Sequence, residues 1–209
     1  PVGYIIDDFK QVLKNQRFLA LTLGLPMVAM PLMLWIALSP VILVEQLGQS
    51  SMQYGMAQFP VLGGLILGNI VLIKIIDKLP LGQSVMIGLP LMLLGTSLVV
   101  IGTMIESYFL TLLILGMTLV SFGEGISFSV LYRFALMSSE MSKGTVAAAV
   151  SVIMMLTFFA VIEIVRVLYE NFGLWAYSLA GFTLIILWFS LPRLVVRDIM
   201  RQRKLTGEF

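Results

Sequence analysis

Two carboxylates stand in stretches that are otherwise almost wholly apolar, and a carboxylate in hydrocarbon is costly enough to mark a functional position. Glu124 sits in Ser121-Phe122-Gly123-Glu124-Gly125. The flanking glycines strip the helix surface bare and leave room for a ligand, water or a neighbouring helix. With no cation close to it in sequence, Glu124 is suited to binding a proton or a cationic ligand. Glu163 has Arg166 one turn later, and an i,i+3 pair of opposite charge on one helix face can neutralise itself, so a structural ion pair is the simpler reading there. The chain contains no His and no Cys. Thiolate nucleophiles, imidazole proton shuttles, Cys/His metal sites and Ser-His-Asp triads are therefore excluded. No nucleophile–base arrangement, metal cluster or phosphate-binding loop accompanies the carboxylates, so no enzyme and no cofactor is expected.

The elements that must carry these residues follow from composition. Of 209 residues, 59% are hydrophobic and 11% charged, against roughly 45–50% and about 25% in a soluble domain. The mean hydropathy is +1.04, and the solvent this implies is lipid. Six runs are long enough to cross a bilayer about 30 Å thick: Phe18–Val44, Met52–Ile73, Gln83–Ile105, Tyr108–Leu131, Thr145–Val165 and Leu174–Val196. The first is too long for a secretory signal and follows a charged lead. The expected fold class is an all-α membrane protein of six transmembrane helices. Residues 1–17 form an amphipathic cytoplasmic linker helix, 18–196 the membrane domain and 197–209 a basic cytoplasmic tail.

Charge gives the orientation. The net charge of +2 suggests no nucleic-acid partner, but the cations are strongly segregated. Lys10, Lys14, Arg17, Lys74, Lys78, Arg133, Lys143 and the run from Arg193 to Lys204 all fall on the side of the termini, and Arg166 is the exception. Lys and Arg beside short loops stay cytoplasmic, so both termini are expected there.

Polar residues are also unevenly spread. The second span (Tyr54, Gln58, Asn69), the fourth (Ser121, Glu124, Ser127, Ser129) and the fifth (Ser151, Thr157, Glu163) carry them at mid-membrane. These spans are expected to face an internal cavity, and the third and sixth to face lipid. Leu32, Ile36 and Ser39 share a face of the first span, and Ser151, Met155 and Phe158 share one of the fifth. Pro26, Pro31, Pro40, Pro60 and Pro90 fall inside spans, where each removes a backbone hydrogen bond. Gly64 and Gly68 form a small-xxx-small pair suited to close packing within the domain.

Several segments carry a family resemblance: Val12-Leu13-Lys14-Asn15-Gln16-Arg17-Phe18, the stretch from Pro31 through Trp35-Ile36-Ala37 to Ser39-Pro40, and Met141-Ser142-Lys143-Gly144-Thr145-Val146 followed by Glu163. Together they resemble the carboxy-terminal half of the MdfA-type multidrug/proton antiporters, in the drug:proton antiporter branch of the major facilitator superfamily. The resemblance runs over essentially the whole chain. It implies six spans arranged as a 3+3 inverted repeat, one half of a twelve-span fold. It also implies a central cavity in which Leu32, Met33, Ile36, Ser151 and Phe158 touch lipophilic drugs. Glu124 departs from the family pattern, so its role rests on burial alone. The residues that couple protons to drug in this family belong to its amino-terminal half.

These readings lead to one expectation: the carboxy-terminal half of a proton-coupled multidrug efflux transporter of the bacterial inner membrane. Its substrate-contacting candidates are Leu32, Met33, Ile36, Gln58, Glu124, Ser151, Met155 and Phe158, and its charge-related ones are Glu124, Glu163 and Arg166. Its partners would be lipophilic or cationic drugs, protons, membrane lipids and the missing amino-terminal half. A six-span homodimeric transporter and a non-transporting structural half are the alternatives.

Overall fold

A computed structural model describes residues 14–80, 82–139 and 142–190. Most of the amphipathic lead, the end of the sixth span and the basic tail lie outside the described residues. Within them the chain forms α1 (Gln16–Pro40), α2 (Ser51–Ile75), α3 (Gln83–Met104), α4 (Phe109–Met137), α5 (Lys143–Phe172) and α6 (Leu174–Ser190). Five of these, counting short flanking turns, are long and apolar enough to cross a membrane, and the apolar stretch Leu174–Trp188 of α6 is shorter.

The helix ends follow local chemistry. Ser50 caps α2 with a reciprocal pair: its hydroxyl accepts from the Gln53 N–H at 3.2 Å while the Gln53 side-chain oxygen accepts from the Ser50 N–H at 2.8 Å. Such a box satisfies two of the donors that every helix start leaves open. Ser142 caps α5 with a single bond, its hydroxyl accepting from the Thr145 N–H at 3.2 Å. Gly173 stops α5 with a φ of 62°, a conformation that costs glycine little, and the chain turns directly into α6.

The prolines do not end their helices, and α1 continues through Pro26 and Pro31 to Pro40. Beyond Pro40 it widens into a π turn over Val41–Gln46, where the Leu47 N–H reaches the Ile42 carbonyl at 3.0 Å. Such i→i+5 turns are rare in proteins and frequently occur at functional sites.

α4 lies at the centre, between α2 and α3, with α1 behind it and α6 packed on α3 and α1. Glycine makes these approaches possible. A methyl group on Gly64 would stand 2.5 Å from the Thr118 carbonyl oxygen, and one on Gly125 would stand 2.5 Å from that of Leu65. On the other flank, methyls on Gly88 and Gly123 would meet each other's carbonyl oxygens at 2.5 and 2.6 Å. The backbones of α2 and α3 therefore lie directly against α4, as the Gly64–Gly68 spacing suggests.

The expected placing of the polar spans needs a correction. Ser121, Glu124 and Ser127 of α4 are buried inside the six-helix unit and do not line an open wall. Their hydroxyl groups explain how: Ser121 donates to the Met117 carbonyl at 2.9 Å and Ser127 to that of Gly123 at 2.8 Å, so each is satisfied by its own helix and needs no water. The most exposed helices are α2 and α5, whose most apolar windows are 28% and 22% buried, against 61% for α1 and 56% for α4.

Candidate functional site

Glu124 lies on α4 where that helix packs closely between α2 and α3. Its residue is 5% exposed, and its Oε2 is buried with no hydrogen-bond partner. The room that its flanking glycines create is taken by helices: Gly123 abuts Gly88 and Met92 of α3, and Gly125 abuts Leu65, Gly68 and Asn69 of α2. Of the occupants that the sequence leaves open, the structure therefore shows neighbouring backbone. A buried polar atom without a partner carries an unrecovered desolvation cost. It is also an acceptor to which a proton or a cation could bind.

A second polar group joins α1 to α2. Trp35 is fully buried, and its Nε1–H donates to Gln58 Oε1 at 2.8 Å, while Gln58 Nε2 donates to the buried Ser39 hydroxyl at 3.4 Å. Gln58 is thus engaged in a clamp between helices. In a double-mutant cycle with Trp35→Phe and Gln58→Leu, measured by melting in detergent, a coupling of about 0.6 kcal/mol is expected, the average for interhelical hydrogen bonds in membranes. Strictly additive losses would mean that the bond contributes nothing.

The drug-contacting candidates divide by accessibility. Leu32 is 2% exposed and belongs to the core, whereas Ile36 on the next turn is 50% exposed and Ser39 is buried again, so the three do not form one free face. Met33 is half-buried. On α5, Ser151 and Met155 are exposed and Phe158 is half-buried, beside exposed Val152, Leu156 and Phe159. The reachable candidates are therefore Ile36, Met33, Ser151, Met155 and Phe158.

Glu163 and Arg166 form a two-pronged pair, with Arg166 Nε donating to one carboxylate oxygen at 3.0 Å and Nη2 to the other at 2.6 Å. Glu170, one turn further along α5, also accepts from Arg166. Its i,i+4 spacing from Arg166 was the available signal. Nearby, the Tyr169 hydroxyl donates to Gln46 in the π turn, which ties α5 to the end of α1. No sequence pattern announces that contact, because the residues are 123 apart.

No protein-family profile matches the chain. It is 62% identical over 203 residues to the chloramphenicol resistance protein CraA of Acinetobacter baumannii, which covers 97% of this chain and 49% of that protein. It is 37% identical over 191 residues to the multidrug transporter MdfA of Edwardsiella piscicida and 36% identical over 191 residues to that of Escherichia coli O157:H7, in each case over 91% of this chain and 47% of the relative. The chain thus spans about half the length of the curated relatives it matches. The two MdfA relatives are named as multidrug transporters, and with its apolar helices the chain is an integral membrane protein. Identity at this level over nine-tenths or more of its length makes the chain a homologue of MdfA-type multidrug transporters, of the drug antiporter type in the major facilitator superfamily, and its match covers about half of one.

Proposed function

We propose that the chain is the carboxy-terminal half of a proton-coupled multidrug efflux transporter and forms one wall of a central cavity that opens alternately to the two sides of the membrane. The observation that carries this reading is the match itself: nearly all of this chain aligns with about half of a chloramphenicol resistance protein and of several multidrug transporters. The bareness of α2 and α5 supports it. Met52, Met56, Phe59 and Ile73 on α2, and Met155, Leu156 and Phe159 on α5, are all more than half exposed. The other six-helix half is the partner that would cover these faces.

In this reading, lipophilic or cationic drugs meet Ile36, Met33, Ser151, Met155 and Phe158. Leu32 backs that surface from the core, and Gln58 holds α1 to α2 beneath it. Glu124 takes a proton or a cationic group when the helices around it part, while most proton coupling belongs to the other half. Arg166 offsets the two carboxylates Glu163 and Glu170 at the charged end of α5, leaving the trio one negative charge in excess. The segregation of Lys and Arg supports cytoplasmic termini in the bacterial inner membrane.

The test is export of a lipophilic cation and of chloramphenicol from proteoliposomes driven by a pH gradient, with the chain alone and with the complementary half. Export is expected only from the combination. Export at comparable rates by the chain alone would overturn the half-transporter reading and favour a homodimer meeting through the same α2 and α5 faces.

A further inference from the structure

The α5–α6 hairpin opens along its length into an apolar groove of about 490 Å³, bounded by Val161, Leu168 and Phe172 on one helix and Trp175, Leu179 and Thr183 on the other. From Val161 to Phe172 the groove follows about 17 Å of helix, roughly the depth of one leaflet of a hydrocarbon core about 30 Å thick. Where it ends, a second recess of about 390 Å³ begins, lined by Gln46, Thr103, Glu106 and Phe109. Trp175 lines both. Its indole therefore stands between an oily trough and a polar mouth at the end of the bundle away from the termini.

The charges at that mouth are unbalanced. Arg166 is engaged by Glu163 and Glu170, which leaves Glu106 without an ion-pair partner among the described residues. A carboxylate in the same recess as the half-exposed ring of Trp175 suits a cation that is weakly hydrated and carried on an apolar body, because aromatic faces attract such cations. The volume of each space lies within the usual range for ligand pockets.

We infer that this groove and recess together form a peripheral site for a single-chain amphiphile with an ammonium head, its tail lying between α5 and α6 and its head at Glu106 and Trp175. The inference goes beyond the cavity reading above, since it needs neither the other half nor transport.

Trp35 and Trp188 are 0% and 1% exposed and Trp175 is 42% exposed, so bromine atoms on a ligand tail report on Trp175. The experiment places the 209-residue chain in lipid nanodiscs and titrates its tryptophan fluorescence with brominated alkyl trimethylammonium, brominated alkyl maltoside and brominated alkyl sulfate. The ammonium compound is expected to quench saturably at about fivefold lower concentration than the maltoside, as for one partly exposed charge contact, and Trp175→Phe should remove the quenchable signal. Glu106→Gln should abolish the fivefold preference while leaving maltoside quenching unchanged. Ala180→Leu, or Ala176→Leu if the first does not fold, should weaken quenching by every tail. Equal quenching by all three heads, or an ammonium preference that survives in Glu106→Gln, would overturn the inference and mean that the groove is wetted by any lipid tail.

Discussion

Replacing Gly125 by leucine is expected to leave no folded six-helix unit in detergent, and even Gly125→Ala should cost about 2–3 kcal/mol, at the upper end for overpacked cores. The reason lies in what a new side chain would meet. A methyl group on Gly125 lands 2.5 Å from the Leu65 carbonyl oxygen and 3.0 Å from the Gly68 Cα, both backbone atoms that cannot rotate away. Space could be found only by moving α2 bodily off α4, and a leucine would need a displacement that consumes most of the roughly 5–15 kcal/mol holding a native fold together. Gly63 provides the control. Nothing lies within 4 Å of a methyl placed there, so Gly63→Ala should stabilise by about 0.5–1 kcal/mol, the helical preference of alanine over glycine. Melting by fluorescence-detected size exclusion reads both, and a Gly125→Ala protein that melts with the parent would refute the close backbone contact.

Glu124 should show opposite signs in stability and in function. Glu124→Met keeps the unbranched shape at slightly larger volume and removes an oxygen that has no partner, so melting in detergent should reveal a gain of about 1 kcal/mol, as when a buried unsatisfied group gives way to an apolar one. When this chain is combined with the complementary half, the same change should lower export of a lipophilic cation about tenfold, and Glu124→Gln should weaken export of cations more than that of neutral drugs. A destabilised methionine variant would mean that the carboxyl group is held by packing after all. Equal losses for cationic and neutral substrates would assign Glu124 a purely structural role.

Much of this was legible in the residues. Runs of apolar side chains give the helices, because a backbone in lipid must satisfy itself. The pair Gly64 and Gly68, and the pair Glu163 and Arg166, are local patterns whose partners lie on the same element or follow from a small-residue face. What could not be read is direction. Serines on α4 suggest a wet wall, yet hydroxyl groups bonded to their own helix are as content inside, and the sequence does not distinguish the two. Leu32, Ile36 and Ser39 fall within about 60° around α1, but the boundary between packed and open surface passes through that arc, leaving Ile36 outside. The Trp35–Gln58 bond depends on how far one helix is slid along another, which no single-helix period contains.

The central place of α4 also bears on how the protein is made. A chain emerging from the ribosome delivers α1, α2 and α3 before α4, and these helices approach α4 far more closely than they approach one another. Until residue 109 and beyond have been threaded into the bilayer, the glycine faces of α2 and α3 have nothing to close upon and the Trp35–Gln58 clamp is the main tie between α1 and α2. There is therefore an interval in which these three helices lack the element they pack on, open to insertases, chaperones and quality-control proteases, and arrival of the fourth helix ends it.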